Sequence, residues 1–510
     1  MSLSSSATTP DNFAELIARA ATHFGDRVAI RARGQNTTFA ALERRAGTLQ
    51  RAFRDAGLRR GDRCAIFVRE PVDAAAAFLA ALANGSIGIN VNELYRPRQI
   101  EHVLRNAGAA VLVASADALE QLPRKLITDA RVLVTDSVTH ADEFAPAAVG
   151  PREPAQITYT SGSTGQPKGV LMTHAALWAG VRIVAGYLGL RADDRIASLL
   201  PFSFVYGFNQ LTTALYTGAM LVVERSTLAN EIVATLRRER VSVVAAVPPL
   251  WQQLLGISAF RDQRLDDIRI MTSAGGRLPP AVVRDLRGAQ PQAQLFLMYG
   301  LTEVFRSTYL PPTDVDANPE SIGRAIPEST VYVVRENGEL ASPGEVGELV
   351  HGGPTMGEGY YRDPEATARV FRPNPFLRSG DEGPAQVVYS GDLVRRDAAG
   401  LLYHIGRRDR MIKSLGFRIS PDEISDVILA SGQVADAAIV TEPDPVRGER
   451  IVACIVLRER GTLEALTRFC RLELPRHMQP ARFVVVAAIP RNASGKHDLL
   501  ALREQVAASS

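Results

Sequence analysis

Short apolar runs of strand length alternate with helix-length segments through much of this chain, and that alternation admits few folds. Residues 63–68, 109–113, 130–134, 221–223 and 241–245 read as short buried strands. Between them, residues 13–21 have helical spacing, with Asp11 or Asn12 as the cap, and residues 71–83 form an apolar helix with proline at its start. The pattern predicts an α/β architecture with largely parallel sheets.

The rhythm changes after about Ile322. Residues 331–334, 348–351 and 386–389 are β-like pieces among many Gly and Pro turns, which reads as a β-rich subdomain. From Asp409 onward helices (421–430, 462–472) and strands (437–440, 451–456) mix again. A chain of 510 residues exceeds one ordinary compact domain. The expected fold is therefore a large N-terminal domain of two mixed α/β subdomains plus a β-rich subdomain, over residues 1–408, followed by a small mobile α+β domain over 409–510.

Bulk properties exclude some partners. The formal net charge is only +3, so charge alone implies no nucleic acid. Cys64, Cys454 and Cys470 are far apart, form no CxxC pair and sit in apolar stretches, which predicts buried reduced thiols. The start of the chain lacks a basic-then-apolar signal pattern, and the apolar run at 74–83 is about half the length needed to cross a bilayer. A cytoplasmic protein without a membrane span is expected. The oligomeric state is left open.

Only four of the 58 basic residues are lysine: Lys125, Lys168, Lys413 and Lys496. Three of them fall in Gly-containing segments. The most informative is Tyr159-Thr160-Ser161-Gly162-Ser163-Thr164-Gly165-Gln166-Pro167-Lys168-Gly169, entered by a strand-like run and followed by a helix-like run from about Thr173. Its glycines allow tight turns with exposed N–H groups, and the hydroxyls and Lys168 add donors and charge, as a phosphate-holding loop requires. It is not a Walker loop, because Lys168 is followed by Gly and the spacing between glycines differs. Further on, Thr302 and Glu303 pair a hydroxyl with a carboxylate suited to Mg²⁺ beside phosphates. Asp392 could accept both hydroxyls of a ribose diol. Lys496, on a short Gly-containing loop, offers a compact ammonium where Arg would be larger and planar.

The loop at 159–169 resembles the signature of the adenylate-forming superfamily, which contains acyl- and aryl-CoA synthetases, adenylation domains and luciferases. The resemblance continues in order to the end of the chain, and is strongest to bacterial acyl-CoA ligases. It implies ATP and Mg²⁺ as cofactors, activation of a carboxylic acid as its acyl-adenylate, and transfer to coenzyme A or to the phosphopantetheine of an acyl carrier protein. It implies nucleotide contacts for Thr160, Ser161, Gly162, Ser163, Thr164, Gly165, Lys168, Gly275, Gly276, Arg277, Tyr299, Gly300, Asp392 and Arg407. It implies catalytic roles for Thr302, Glu303 (with the metal) and Lys496, a hinge at Asp409, and a loop at Gly416 lining the thiol's approach. The segment 344–367 resembles a structural part of the family and is assigned no catalysis.

By the same resemblance, Phe204, Val205, Tyr206, Gly207, Ser273 and Ala274 line the acyl pocket. Two departures stand out. Many acyl-CoA synthetases carry His where this chain has Phe204, so gating here would be steric. Amino-acid adenylation domains usually carry Asp where this chain has Val205, and a buried unpaired ammonium would cost on the order of several kcal/mol. An apolar or aromatic acid of moderate size is expected, its aromatic surroundings including Phe208 and Phe305, and ordinary α-amino acids are not.

Overall fold

The computed structural model describes residues 11–120, 122, 130–140, 142–161, 167–377, 382–414, 417–444, 448–492 and 495–508. Gly162, Ser163, Thr164, Gly165 and Gly416 lie outside the described residues, as does the side chain of Ser161.

The helix Pro71–Ala83 shows how local sequence becomes architecture. Glu70 accepts the Asp73 N–H at 2.8 Å, and Pro71 needs no donor there, so the start of the helix is satisfied. Its residues 74–83 are all buried, which is why the segment is apolar all round rather than on one stripe. Strand Ile87–Asn90 passes so close that a Cβ on Gly88 would lie 2.7 Å from the Phe78 ring. That strand, with Arg63–Phe67, Val111–Ala114 and Arg131–Val134, is parallel; Pro154–Ser161, Pro167–Thr173 and Gly359–Tyr360 complete a seven-stranded sheet.

A second sheet begins as a parallel unit: Val28–Ala32, Met220–Val223, Arg195–Ser198, Val243–Ala246, Ile270–Ser273 and Gln294–Tyr299. At Gln294–Tyr299 it turns antiparallel through Thr308–Leu310 and Ser321–Ala325, and then through Leu402–Arg407, Gln386–Arg396, Val346–Gly352 and Thr330–Val334. The β-rich subdomain is thus hydrogen-bonded onto the parallel sheet rather than standing apart. Residues from Ile412 onward build their own five-stranded sheet, with helices including Pro421–Ala430 and Leu463–Glu473 packed against it. The three cysteines are buried and unbridged, and burial pushes the Cys454 and Cys470 thiols up to about 11. Among the described residues no helix is long and apolar enough to cross a membrane.

Asn12 caps the first turn before helix Glu15–Phe24: its Oδ1 accepts the Ala14 N–H at 2.9 Å and its carbonyl the Glu15 N–H at 3.1 Å, while its amide nitrogen reaches inward to Leu82 O and Ala147 O. The helix expected from about Thr173 is His174–Leu188, capped by Thr173, but a strand not foreseen, Pro167–Thr173, precedes it and pairs antiparallel with Pro154–Ser161 across the Gly-rich segment. Lys168 is therefore a strand residue, paired across the hairpin with Thr160.

One buried carboxylate ties the starts of three parallel strands. Asp194 accepts Ser242 Oγ at 2.8 Å, Arg269 Nε at 2.6 Å and the Arg191 N–H at 2.8 Å, and Ser242 Oγ in turn accepts the Arg195 N–H. Fixing these ends sets the register with which the opposite, C-terminal ends arrive. Asp194→Ala leaves Arg269 without its partner and is expected to cost about 3–5 kcal/mol, read as a lower denaturation midpoint in urea; a change below about 1 kcal/mol, the worth of an exposed pair, would refute this role.

Candidate active site

The C-terminal ends of parallel strands open onto one edge of the sheet, where ligands of open α/β sheets bind. Strand Ile270–Ser273 delivers buried Ser273 and Ala274, followed by exposed Gly275 and Gly276. Gly275 has φ +87°, a backbone conformation that a side chain would strain. Strand Gln294–Tyr299 runs into Gly300 and the single turn Thr302–Val304. Arg195–Ser198 leads to Phe204, Val205 and Tyr206, half-buried at the start of helix Val205–Thr217. Gly207 must be glycine there, since a Cβ would sit 2.2 Å from the Pro201 carbonyl oxygen.

Asp392 is the electrostatic centre. In the antiparallel pairing of Gln386–Arg396 with Leu402–Arg407 it stands directly opposite Arg407. Arg407 Nη1 donates to Asp392 Oδ1 at 3.3 Å and to Ser390 O at 3.0 Å. The Tyr299 hydroxyl donates to Asp392 Oδ2, the Asp392 N–H is held by Ser390 Oγ, and His404 Nε2 lies 3.7 Å from Oδ1. Burial pushes the Asp392 carboxyl up, but His404, Arg407 and Tyr299 outweigh it and hold it below the ordinary range. The group is a carboxylate at neutral pH. Tyr299 moves the other way, well above its usual value, from burial and the adjacent Asp392 charge.

Glu303 faces the same cleft. Its Oε1 accepts the Tyr360 hydroxyl at 2.5 Å and its carbonyl accepts the Gly357 N–H at 2.8 Å. Lys168 pairs with Asp363 at 3.2 Å and lies over the Tyr360 ring, 5.3 Å from its centroid. Tyr360 thus joins Glu303 to the Lys168 hairpin. Its segment was read from sequence as structural only, and nothing in local spacing links positions 57 residues apart.

The C-terminal unit closes over this cleft. Asp426, on helix Pro421–Ala430, pairs with Arg277, which also lies 3.8 Å from Glu320. Ser420 Oγ donates to Ile405 O at 2.6 Å. Arg277, in the stretch read as adenine-binding, spends its guanidinium on this docking contact. At the far end of the unit, Asn492 and Lys496 close a tight turn: Asn492 N–H donates to Lys496 O at 2.8 Å, and Asn492 Oδ1 accepts the Lys496 N–H at 3.1 Å. Gly495 there has φ +76°. The Lys496 side chain is exposed, and its ammonium comes within Coulomb reach of Asp392, Arg410, Arg407 and Glu303. The surrounding protein lowers its pKa more than the carboxylates raise it. Asp409 lies in the single turn Arg408–Arg410 between the two units and accepts Arg407 Nε at 3.2 Å.

Two aromatic residues expected near the acyl group belong to the core instead. Phe208 is buried edge-on against Phe78 at 4.9 Å. Phe305 is buried on Gly180, where a Cβ would come within 2.6 Å of its ring. A residue that sequence reasoning missed takes a place beside Tyr206: Arg306, 3% exposed, with its guanidinium carbon 5.1 Å from the Tyr206 ring centroid.

These positions can be set beside known proteins. The AMP-binding enzyme family matches residues 17–361, and the AMP-binding enzyme C-terminal domain matches 423–496. The chain is 28% identical to bacitracin synthase 3 of Bacillus licheniformis over 92% of its own length, but spans only 7% of that protein. It is 31% identical to sulfoacetate–CoA ligase of Cupriavidus necator, covering 96% of this chain and 97% of that one. It is 28% identical to L-proline–[L-prolyl-carrier protein] ligase of Pseudomonas fluorescens, covering 92% and 94%. Among solved structures, ATP-bound MatB from Rhodopseudomonas palustris superposes with a TM-score of 0.86 at 26% identity, over 96% of this chain and 98% of that one. o-Succinylbenzoate-CoA synthetase (MenE) of Bacillus subtilis, in complex with its acyl-adenylate, superposes at 0.85 and 25%, over 98% of each. With the fold matched along nearly its whole length and the family matched over most of it, the chain belongs to the AMP-binding enzyme family of adenylate-forming ligases.

Proposed function

We propose that this chain activates a carboxylic acid with an apolar or aromatic body as its acyl-adenylate and passes the acyl group to coenzyme A. The observation that carries this reading is Lys496: a lysine from the C-terminal unit brought within Coulomb reach of Asp392, Arg407 and Glu303 of the N-terminal side. Such a set has the donors and acceptors that ATP and an acid need at once.

In the first step the acid's carboxylate attacks the α-phosphate and pyrophosphate leaves. Asp392 accepts from the ribose hydroxyls, with Tyr299 and Arg407 fixing its orientation. Thr302 and Lys496 stabilise charge developing on the α-phosphate. Glu303, a single carboxylate with one oxygen already braced by Tyr360, has the chemistry to hold Mg²⁺ shared with phosphate oxygens, and the ion would neutralise their charge. In the second step the C-terminal unit turns at Asp409, withdraws Lys496 and brings the loop at Gly416 to the thiol's path; the thiol sulfur attacks the acyl carbonyl, its proton is lost, and AMP leaves as the acyl–phosphate bond breaks.

Coenzyme A as acceptor is supported by full-length similarity to sulfoacetate–CoA ligase. Transfer to a carrier protein's phosphopantetheine is the second reading, supported by nearly equal coverage of the L-prolyl-carrier protein ligase. Against an α-amino acid as substrate, none of Phe204, Val205, Tyr206 and Gly207 offers a carboxylate to an α-ammonium.

Three outcomes are expected. Lys496→Ala loses about 100-fold or more in ATP–pyrophosphate exchange but keeps thioester formation from supplied acyl-adenylate, whereas Asp409→Pro keeps exchange and loses the thioester; equal loss of both reactions in either variant would overturn the two-step assignment. Because Lys496 acts as an ammonium and its pKa is lowered, exchange declines on the alkaline side at a lower pH than an ordinary lysine would give, and the thioester step lacks that limb. Common α-amino acids support exchange at least about 100-fold less well than the best non-amino acid; a comparable kcat/KM for any of them would defeat this.

A further inference from the structure

Arg306 is a buried cation with no carboxylate within ion-pair distance among the described residues, and its Nε and Nη2 have no hydrogen-bond partner. Its surroundings are aromatic: the guanidinium lies over Tyr206 and against the Tyr187 hydroxyl, and Tyr187 in turn stacks on Tyr309 at 4.3 Å. Burying an unpaired guanidinium is costly, and a folded chain retains such a group where something else supplies the anion.

The backbone is bent to place it there. Phe305 takes φ +59°, a conformation that side chains other than glycine rarely adopt, and the turn carries Arg306 inward directly after the Thr302–Val304 turn. A Cβ on Gly300 would lie 3.1 Å from the Arg306 Cα, so the residue is packed under the strand end that holds Tyr299. The neighbouring wall is also polar and unpartnered. Gln210 follows Tyr206 by one turn on the same face of its helix, is 5% exposed, and both its amide oxygen and nitrogen lack partners. Ser273 Oγ, buried at the end of its strand, lacks one as well.

The two free nitrogens of Arg306 share one edge of the guanidinium. That edge presents two parallel N–H groups and takes a two-oxygen anion side-on. Tyr206, itself part of the segment 204–207 read above as acyl wall, lies against this group. We infer that the acid activated here carries a second oxyanion, a carboxylate or sulfonate, at the far end of its acyl body, held by Arg306 with Gln210 beside it. This rests on the ligase reading and deepens it: the aromatic walls hold the middle of the acyl group, and Arg306 reads its end. Arg306 is a specificity-determining residue and takes no part in the phosphoryl step.

The test is ATP–pyrophosphate exchange with wild-type enzyme over matched acids: hexanoate against adipate, pentanoate against glutarate, benzoate against the benzenedicarboxylates and sulfobenzoates. The doubly charged member of at least one pair is expected to have the higher kcat/KM, by about 100-fold. Arg306→Met should bring that ratio to parity or below, and Arg306→Lys should restore part of it, with denaturation midpoints recorded for both to separate recognition from folding. The carboxylate and sulfonate arms identify which oxyanion is read. Wild-type preference for the monoacid in every pair would overturn this inference and leave the ligase reading intact. A preference for the diacid that Arg306→Met does not change would overturn the role of Arg306. No exchange with either member of any pair would fail the ligase reading and this inference with it.

Discussion

The active-site cleft is organised around one buried carboxylate. The Asp392 carboxylate is held by donors from two directions, Arg407 across the antiparallel ladder and Tyr299 from the end of the parallel sheet, while Ser390 Oγ accepts its backbone N–H. A negative charge at that depth is tolerable only with such partners, and each partner is thereby oriented too. Lys496 from the C-terminal unit comes within reach of the same charge, so Asp392 couples the two units electrostatically. The continuity of the second sheet is what makes this possible. Because the antiparallel strands hydrogen-bond onto Gln294–Tyr299, Asp392 and Tyr299 are carried by one framework.

The charge arrangement separates fixed from movable parts. Glu303 is braced by Tyr360, and Lys168 by Asp363, all within the N-terminal unit. Contacts across to the C-terminal unit include polar pairs: Arg277 with Asp426, and Ser420 with Ile405. Polar contacts of this kind exchange for water at small net cost, which is compatible with the hinge motion proposed above. Lysine is scarce in this chain, and Lys496 presents a compact ammonium from a turn held by Asn492.

Much of the fold was legible because its signals are local. The helix Pro71–Ala83 follows from a capping acid, a proline and an apolar run; the strands at 111–114, 221–223 and 331–334 follow from short apolar stretches between turns. The family was legible through ordered short segments whose glycines, hydroxyls and charges do not depend on distant neighbours. Signals that depend on partners failed. Phe208 and Phe305 looked like pocket aromatics and became core, because Phe78 and Gly180 lie against them.

By itself the sequence determined the α/β architecture, the family and the residue types available for adenylate chemistry, since these follow from periodicity and from motifs read within a few residues. Only the tertiary structure decided which groups meet: Tyr360 with Glu303, Arg277 with Asp426, and Arg306 buried against Tyr206 with no described carboxylate beside it. The reason is physical. A charge or hydroxyl acquires its role from what desolvates and opposes it, and those neighbours are brought from distant positions by the packing of sheets, which no local spacing encodes.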